Sequence, residues 1–168
     1  MSEIVRIPLG IVVERKKALS QWIDHVWRPV AALAGSPATA PWTVLKEEGD
    51  TTTYYAGEAE IELFPTEAGY YRDNLAVAEP LLWVALRASD GERPYDLFKV
   101  TADPHEGEAM TEAGADLIET VPMPEPVAAE IARFVARYHV DRPFVKRERN
   151  RADPEALSRG IPPRENER

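Results

Sequence analysis

The stretch at residues 42–64 reads WTVLKEEGDTTTYYAGEAEIELF and decides the fold class. Two glycines divide it into three segments rich in β-branched and aromatic residues, a composition typical of strands separated by turns. In the last segment Ile61 and Leu63 alternate with glutamates, so one face of that strand is apolar and the other is polar. We therefore predict an antiparallel meander with strands at residues 42–48, 51–56 and 59–64.

Further strands are predicted on both sides of this meander, where apolar residues alternate or run together. They lie at residues 4–13, from about residue 26 with a break or bulge at Pro29, and at residues 81–87, 97–101 and 117–121. The charged run at residues 14–17 is expected to end the first strand. Residues 67–75 are expected to form a connecting loop.

Two helices are predicted in the C-terminal half. Asp103 precedes Pro104 and stands three residues before Glu106, which predicts an N-cap with a capping box, and Gly114 is expected to end this helix. A second helix is predicted to open at Pro126, because apolar residues then recur on one face. The fold class that follows is α+β: a curved antiparallel sheet of about six to eight strands with two C-terminal helices packed on it.

The charge of the chain is unevenly distributed. The net charge is −9 over 168 residues, but residues 1–141 carry 12 Lys and Arg against 24 Asp and Glu, whereas residues 142–168 carry 8 against 5. The sequence therefore predicts one acidic domain at residues 1–141 and a basic, disordered tail at residues 142–168. An acidic domain repels nucleic acid and anionic membranes, so neither is expected as a partner.

The residue types that are absent restrict the chemistry further. The chain has no cysteine, which excludes disulfides and thiolate ligands and fits a reducing cytoplasm, and no apolar run is long enough to span a membrane. Its three histidines share no metal-ligand spacing, and no nucleophile elbow or glycine-rich phosphate-binding motif occurs. We accordingly expect no metal site, no cofactor and a cytoplasmic location.

The densest group of special side chains lies at residues 22–28. Trp22, His25, Trp27 and Arg28 are candidates for binding a ligand or a partner, and Asp24 beside His25 is compatible with a general base oriented by a carboxylate. The structural alternative, which we favour, is that the tryptophans pack at a sheet edge while Asp24 and Arg28 form a local ion pair.

Two further groups are candidate contact sites. Tyr71, Arg72 and Asn74 fall in the expected connecting loop, where they would form a recognition site or, alternatively, cover the core and close a turn. The tail is a candidate docking arm for an acidic partner surface, or else a solubilising extension. Its proposed contact residues are Phe144, Lys146, Arg147 and Arg149.

Five short motifs resemble an uncharacterised proteobacterial family, domain of unknown function 3305. They are IPLGIVVER at residues 7–15, WRPV at 27–30, YRDNL at 71–75, VPMP at 121–124 and FVKR at 144–147. The resemblance covers roughly residues 4–149. Genes of that family are commonly found near those of molybdenum-dependent formate dehydrogenases and their maturation factors, so the resemblance implies an accessory role in that system. It implies no catalytic residues.

Three functional hypotheses follow. The leading one is a non-catalytic accessory protein that assists assembly, maturation or regulation of a molybdenum-dependent formate dehydrogenase, using the tail and residues 22–28 for contacts. The second is a domain that binds a small ligand such as a pterin or a nucleotide through Arg28, Arg72, Asn74 and nearby aromatic residues. The third is an enzyme that uses Asp24 and His25, which requires His25 to face a cleft within hydrogen-bond reach of Asp24.

Overall fold

The computed structural model describes residues 3–139 as two antiparallel sheets and three α-helices. The first sheet has the strand order β2-β1-β4-β3 and the second has the order β6-β5-β7. The strands are β1 (Val5–Lys17), β2 (His25–Ala34), β3 (Thr43–Glu48), β4 (Thr51–Leu63), β5 (Leu81–Ala88), β6 (Tyr95–Thr101) and β7 (Leu117–Pro122). The helices are a short 3-10 turn (Pro65–Glu67), α1 (Ala68–Leu75), α2 (Pro104–Ala113) and α3 (Glu125–Tyr138).

The α+β class and the antiparallel pairing are confirmed, and the seven strands of residues 3–139 fall within the predicted range. The expectation of one curved sheet is corrected, because β5, β6 and β7 form a sheet of their own after α1 interrupts the chain between β4 and β5. The two sheets approach each other on both sides: the edge strand β2 lies near β7, and β4, which β3 covers only as far as Tyr55, lies near β6. Within the described residues these edges share no strand pairing, so the sheets do not close into a barrel.

The first strand is longer than predicted. Residues 14–17 do not end β1, because they remain paired with β2 as far as Lys17 and with β4 as far as Lys16. Only the part from Ile7 to Val13 lies in the core, whereas the polar end extends beyond it as one arm of a long hairpin with β2. Strand pairing gives the backbone N–H and C=O groups of this arm their hydrogen-bond partners. Its side chains can therefore be charged without loss of the strand.

Two of the three register shifts in the first sheet involve β1. The break or bulge predicted at Pro29 is a bulge that leaves Val30 without a pairing partner, since Val12 pairs with Ala31 but the next residue of β1 pairs with Pro29. The predicted break at Gly57 is wrong, because β4 continues through it with a bulge. Gly57 has φ 138°, a conformation that glycine adopts without steric cost, so the glycine bends the strand without ending it.

The predicted loop at residues 67–75 is wrong in its major part, which forms α1. Three residues of α1 at intervals of three face the core: Ala68, Tyr71 and Asn74. The helix also packs against α3. Its sequence contains glycine, aspartate and asparagine, which favour helix interiors poorly, so the packing of its buried face stabilises it more than its composition does.

Both predicted helices are confirmed. Asp103 caps α2 by accepting a hydrogen bond from the backbone N–H of His105 at 2.9 Å, and Gly114 follows the helix with φ 69°. The capping box is not formed, because the Glu106 carboxylate accepts instead from Lys99 Nζ at 3.1 Å. Helix α3 begins one residue before Pro126 and buries the apolar residues Val127, Ile131, Phe134 and Val135 against the core.

Tyr71 joins α1 to the end of β4 through its hydroxyl group. The oxygen accepts a hydrogen bond from the Phe64 backbone N–H at 3.0 Å and lies 3.4 Å from the carbonyl of Glu62, to which it donates. Burial raises the pKa of Tyr71 to about 12; the bond from Phe64 opposes this rise, and the charge of Asp103 adds to it.

We expect Tyr71→Phe to lower the free energy of unfolding by about 1–2 kcal/mol near neutral pH, because the Phe64 N–H loses its acceptor. The folded pKa exceeds the unfolded value of about 10, so the folded state holds the phenol proton longer and this contribution falls as the pH rises from 10 to 12. Urea unfolding of both proteins at about pH 9 and about pH 11 measures it. If the free energies of unfolding of the two proteins differed by the same amount at both pH values, the raised pKa of folded Tyr71 would be contradicted.

Candidate functional site

Strand alternation divides the cluster at residues 22–28 between two faces of the first sheet. Trp27 pairs with Arg15 across the hairpin and His25 pairs with Lys17, so these residues share one face. Arg28 lies on the opposite face, where its Nε is 3.6 Å from a carboxylate oxygen of Glu14. The local ion pair that we expected between Asp24 and Arg28 is therefore replaced by one across the hairpin.

Asp24 and His25 do not form an acid–base pair. Both side chains are exposed, and no hydrogen bond joins them in the described part of the chain. The backbone carbonyl of Asp24 accepts a hydrogen bond from Ala18 at 3.1 Å, which closes the hairpin loop. The geometry that a catalytic Asp24–His25 pair requires is thus not observed within residues 3–139.

The candidates on α1 have separate surroundings. Asn74 is buried and Tyr71 is a core residue, so neither presents its side chain to a ligand. Arg72 is exposed, and its Nη1 lies 3.0 Å from Nε2 of His139. Since Arg28 contacts Glu14, the structure does not bring Arg28, Arg72 and Asn74 together around one ligand.

The remaining predictions concern the tail, metal binding and membrane spans. The tail residues Phe144, Lys146, Arg147 and Arg149 lie outside the described residues. Among residues 3–139 no group of three or more His, Asp or Glu side chains is placed to hold a metal ion. No helix in the same range is long and apolar enough to cross a membrane.

The end of the β1–β2 hairpin forms an exposed apolar surface. We call it the hairpin tip and define it as loop residues 18–24 with the flanking strand residues Lys16, Lys17, Val26 and Arg28. The exposed large apolar side chains of the tip are Leu19, Trp22, Ile23 and Val26. A shallow depression of about 500 Å³ on one side is lined by Leu19, Ile23 and Val26, with Lys16 and Arg28 at its border.

A second surface lies on the face of the sheet that carries Trp27. We call it the aromatic cleft and define it as Arg15, Trp27, Trp42 and Tyr54 together with the loop at residues 89–94. Its volume is about 650 Å³. Trp27 is central, since its ring centroid lies 6.1 Å from that of Trp42 and 5.6 Å from that of Tyr54.

The comparison with known families agrees with the motif resemblance. Over residues 8–148 the sequence matches a family described as "Protein of unknown function (DUF3305)". The chain belongs to the DUF3305 family. No curated protein and no solved structure matches it. The resemblance is confirmed at the level of the family, while the link to formate dehydrogenase stays a prediction.

The DUF3305 match includes every residue of the hairpin tip and of the aromatic cleft. Sequence reasoning identified Trp22, Trp27 and Arg28 on these surfaces but missed Arg15, Trp42 and Tyr54. A signal for Arg15 was present, because a hairpin with a seven-residue loop at 18–24 pairs Arg15 with Trp27. Extending the first strand by four residues would have revealed it.

Proposed function

We propose that this DUF3305 protein is a non-catalytic interaction protein that binds a protein partner through the hairpin tip. The observation that carries the proposal is the exposure of its apolar side chains, among which Trp22 is 91% exposed. Large apolar side chains clustered at one end of a soluble domain are typical of a binding surface, because burying them against a partner releases ordered water. Tryptophan is also enriched among the residues that dominate binding energies.

The charges around the tip indicate what kind of partner surface fits it. Lys16 and Lys17 form no ion pair with a described carboxylate, and Arg28 lies beside Glu14. The tip thus carries three cations against one carboxylate, Asp24, whereas over residues 1–141 acidic residues outnumber basic ones twofold. We therefore propose a partner segment that offers an apolar anchor flanked by acidic residues, which long-range attraction would also guide to the tip.

The partner that we propose is a molybdenum-dependent formate dehydrogenase or one of its maturation factors in the cytoplasm. The gene neighbourhood implied by the family resemblance supports this choice, and the exposed tip supports an accessory role in assembly, maturation or regulation. The basic tail at residues 142–168 is proposed as a second contact, acting on acidic surfaces of the same partner.

We expect Trp22→Ser and Leu19→Ser each to weaken binding to purified formate dehydrogenase by about tenfold or more, because exposed apolar anchors are lost without any change in the core. Titration of the full-length chain by calorimetry measures the affinity. The matched control is Leu45→Ser on β3, which removes an apolar side chain that is about half exposed and lies outside the tip.

The outcomes separate cleanly. Weaker binding by both tip variants, with Leu45→Ser unchanged, supports the tip as the contact surface. Equal affinity of all four proteins would remove the tip from the interaction, and the absence of binding by the unaltered chain to formate dehydrogenase and its maturation factors would refute the partner.

A steep decrease in association rate with added salt is expected from Lys16 and Lys17.

A further inference from the structure

The aromatic cleft holds an arginine, Arg15, that forms no ion pair within residues 3–139. Arg15 is half-buried, and its guanidinium lies 5.7 Å from the ring centroid of Trp27 and 5.5 Å from that of Tyr54. Its hydrogen-bond partner is the Thr52 hydroxyl at 3.4 Å, and no carboxylate among residues 3–139 forms an ion pair with it. In a domain so rich in carboxylates, a partly desolvated arginine that contacts none of the described ones indicates a place for an anion from outside the domain.

The rings around Arg15 form an angled wall. The planes of Trp27 and Trp42 meet at 81°, while Tyr54 lies tilted by 30° relative to Trp27. All three rings are half-buried, so each keeps one part of its surface open to the cleft. A flat aromatic group can stack on one of these rings and contact the edge of another.

Trp42 is held in place by its backbone. It has φ 65°, which is rare for a residue with a large side chain, and its N–H donates to the carbonyl of Tyr55. Such a conformation costs free energy and persists where the surrounding structure enforces it, most often at functional sites. Here it sets the Trp42 ring beside Trp27 in the lining of the cleft.

The loop at residues 89–94 also lines the cleft. It is closed by a hydrogen bond from Ser89 N–H to the carbonyl of Pro94 at 3.3 Å. Arg93 lines the cleft without an ion pair to a described carboxylate, and Glu92 lies beside it. The volume of about 650 Å³ is in the range of small-molecule sites.

From this geometry we propose that the aromatic cleft binds a flat aromatic ring that carries an anionic group, the chemical class to which nucleotides belong. The ring stacks against Trp27 and Trp42, and the anionic group forms charge-assisted hydrogen bonds with Arg15. A cationic or an uncharged ring would leave that guanidinium without a counter-ion. The proposal is independent of partner binding at the hairpin tip, which uses other side chains.

The experiment uses the full-length chain, labelled with ¹⁵N, whose four tryptophans give four indole N–H signals. The probes are GMP and FMN, each with its uncharged counterpart, guanosine or riboflavin, and ribose 5-phosphate as an anion without a ring. We expect GMP or FMN to shift the signals of Trp27 and Trp42 and not those of Trp22 and Trp83. We expect affinities at least about tenfold higher for the anionic than for the uncharged form of the same ring.

The matched variants are Arg15→Gln and Arg87→Gln, the second an exposed arginine on β5 outside the cleft. Arg15→Gln is expected to reduce the affinity for the anionic probe to that for its uncharged counterpart, while Arg87→Gln leaves it unchanged. The proposal is overturned if neither anionic probe shifts Trp27 and Trp42 at millimolar concentration. It is overturned equally if ribose 5-phosphate binds as well as they do, or if Arg15→Gln has no effect.

Discussion

Replacement of Asn74 with alanine is expected to lower the free energy of unfolding by about 3–5 kcal/mol, with a fall in Tm of roughly 10 °C. The Asn74 amide group donates to the carbonyls of Leu81 at 2.8 Å and Ala102 at 3.0 Å, and its oxygen accepts from the Leu81 N–H at 3.1 Å. One buried side chain thus joins α1, the start of β5 and the residue after β6. Alanine would leave three backbone groups without partners.

Thermal unfolding followed by circular dichroism measures the effect. Asp73→Ala is the matched control, since it alters the neighbouring and exposed residue of the same helix and should change stability by less than about 0.5 kcal/mol. Similar Tm values for Asn74→Ala and Asp73→Ala would show that the three bonds do not stabilise the fold as the geometry indicates.

A second substitution at the same position tests the direction of the bonds. Asn74→Asp keeps an acceptor for the Leu81 N–H but places a carboxylate against the carbonyls of Leu81 and Ala102, so burial and these carbonyls raise the pKa of the new carboxyl group. The folded state then binds the proton more tightly than the unfolded state. Stability should therefore be greatest at low pH and fall as the pH rises above the ordinary aspartate pKa of about 4.

Elements with strong local signals were predictable from the sequence. The apolar stripe of α3, the Asp103 cap and Gly114 of α2, and the alternation of β4 each depend on neighbours within a few residues. Helix α1 lacked such a signal, because a glycine and polar residues obscure the three buried positions. Its helical state depends on packing against α3 and on the bonds of Asn74, which are formed with residues distant in sequence.

The surfaces were less predictable than the fold for the same reason. Trp22 and Trp27 are conspicuous in the sequence, but whether they share a surface depends on the register of β1 against β2. The aromatic cleft combines side chains from β1, β2, β4 and the residue before β3 with a loop of the second sheet. Trp42 adopts a conformation usually reserved for glycine, and nothing in its local sequence marks it.

Substitution of Gly107 is the second change with a large expected effect on stability, because this residue lies where α2 crosses β5. The glycine is buried inside the helix, and a Cβ atom added there would overlap the indole ring of Trp83 near its attachment to the backbone. We expect Gly107→Ala to lower the free energy of unfolding by about 1–3 kcal/mol, although alanine is intrinsically the better helix former by about 1 kcal/mol. Chemical denaturation of the full-length chain measures the change.

Gly69 on α1 is the matched control for Gly107. A Cβ atom there would meet its nearest neighbour, the His139 ring, at 3.6 Å, which is ordinary van der Waals contact. Gly69→Ala should therefore stabilise the protein by a few tenths of a kcal/mol to about 1 kcal/mol, opposite in sign to Gly107→Ala. If both substitutions stabilised the protein, α2 could not lie against Trp83 as closely as the structure indicates.

A double-mutant cycle with Trp83→Leu locates the origin of the penalty. A smaller side chain at position 83 makes room for the added methyl group, so Gly107→Ala should cost less in the Trp83→Leu background than in the unaltered chain. Additive effects would instead assign the penalty to the backbone of α2. Asn74 and Gly107 together explain the positions of α1 and α2. Asn74 forms hydrogen bonds that require a side-chain amide, and Gly107 lets α2 approach β5 closely because it has no side chain.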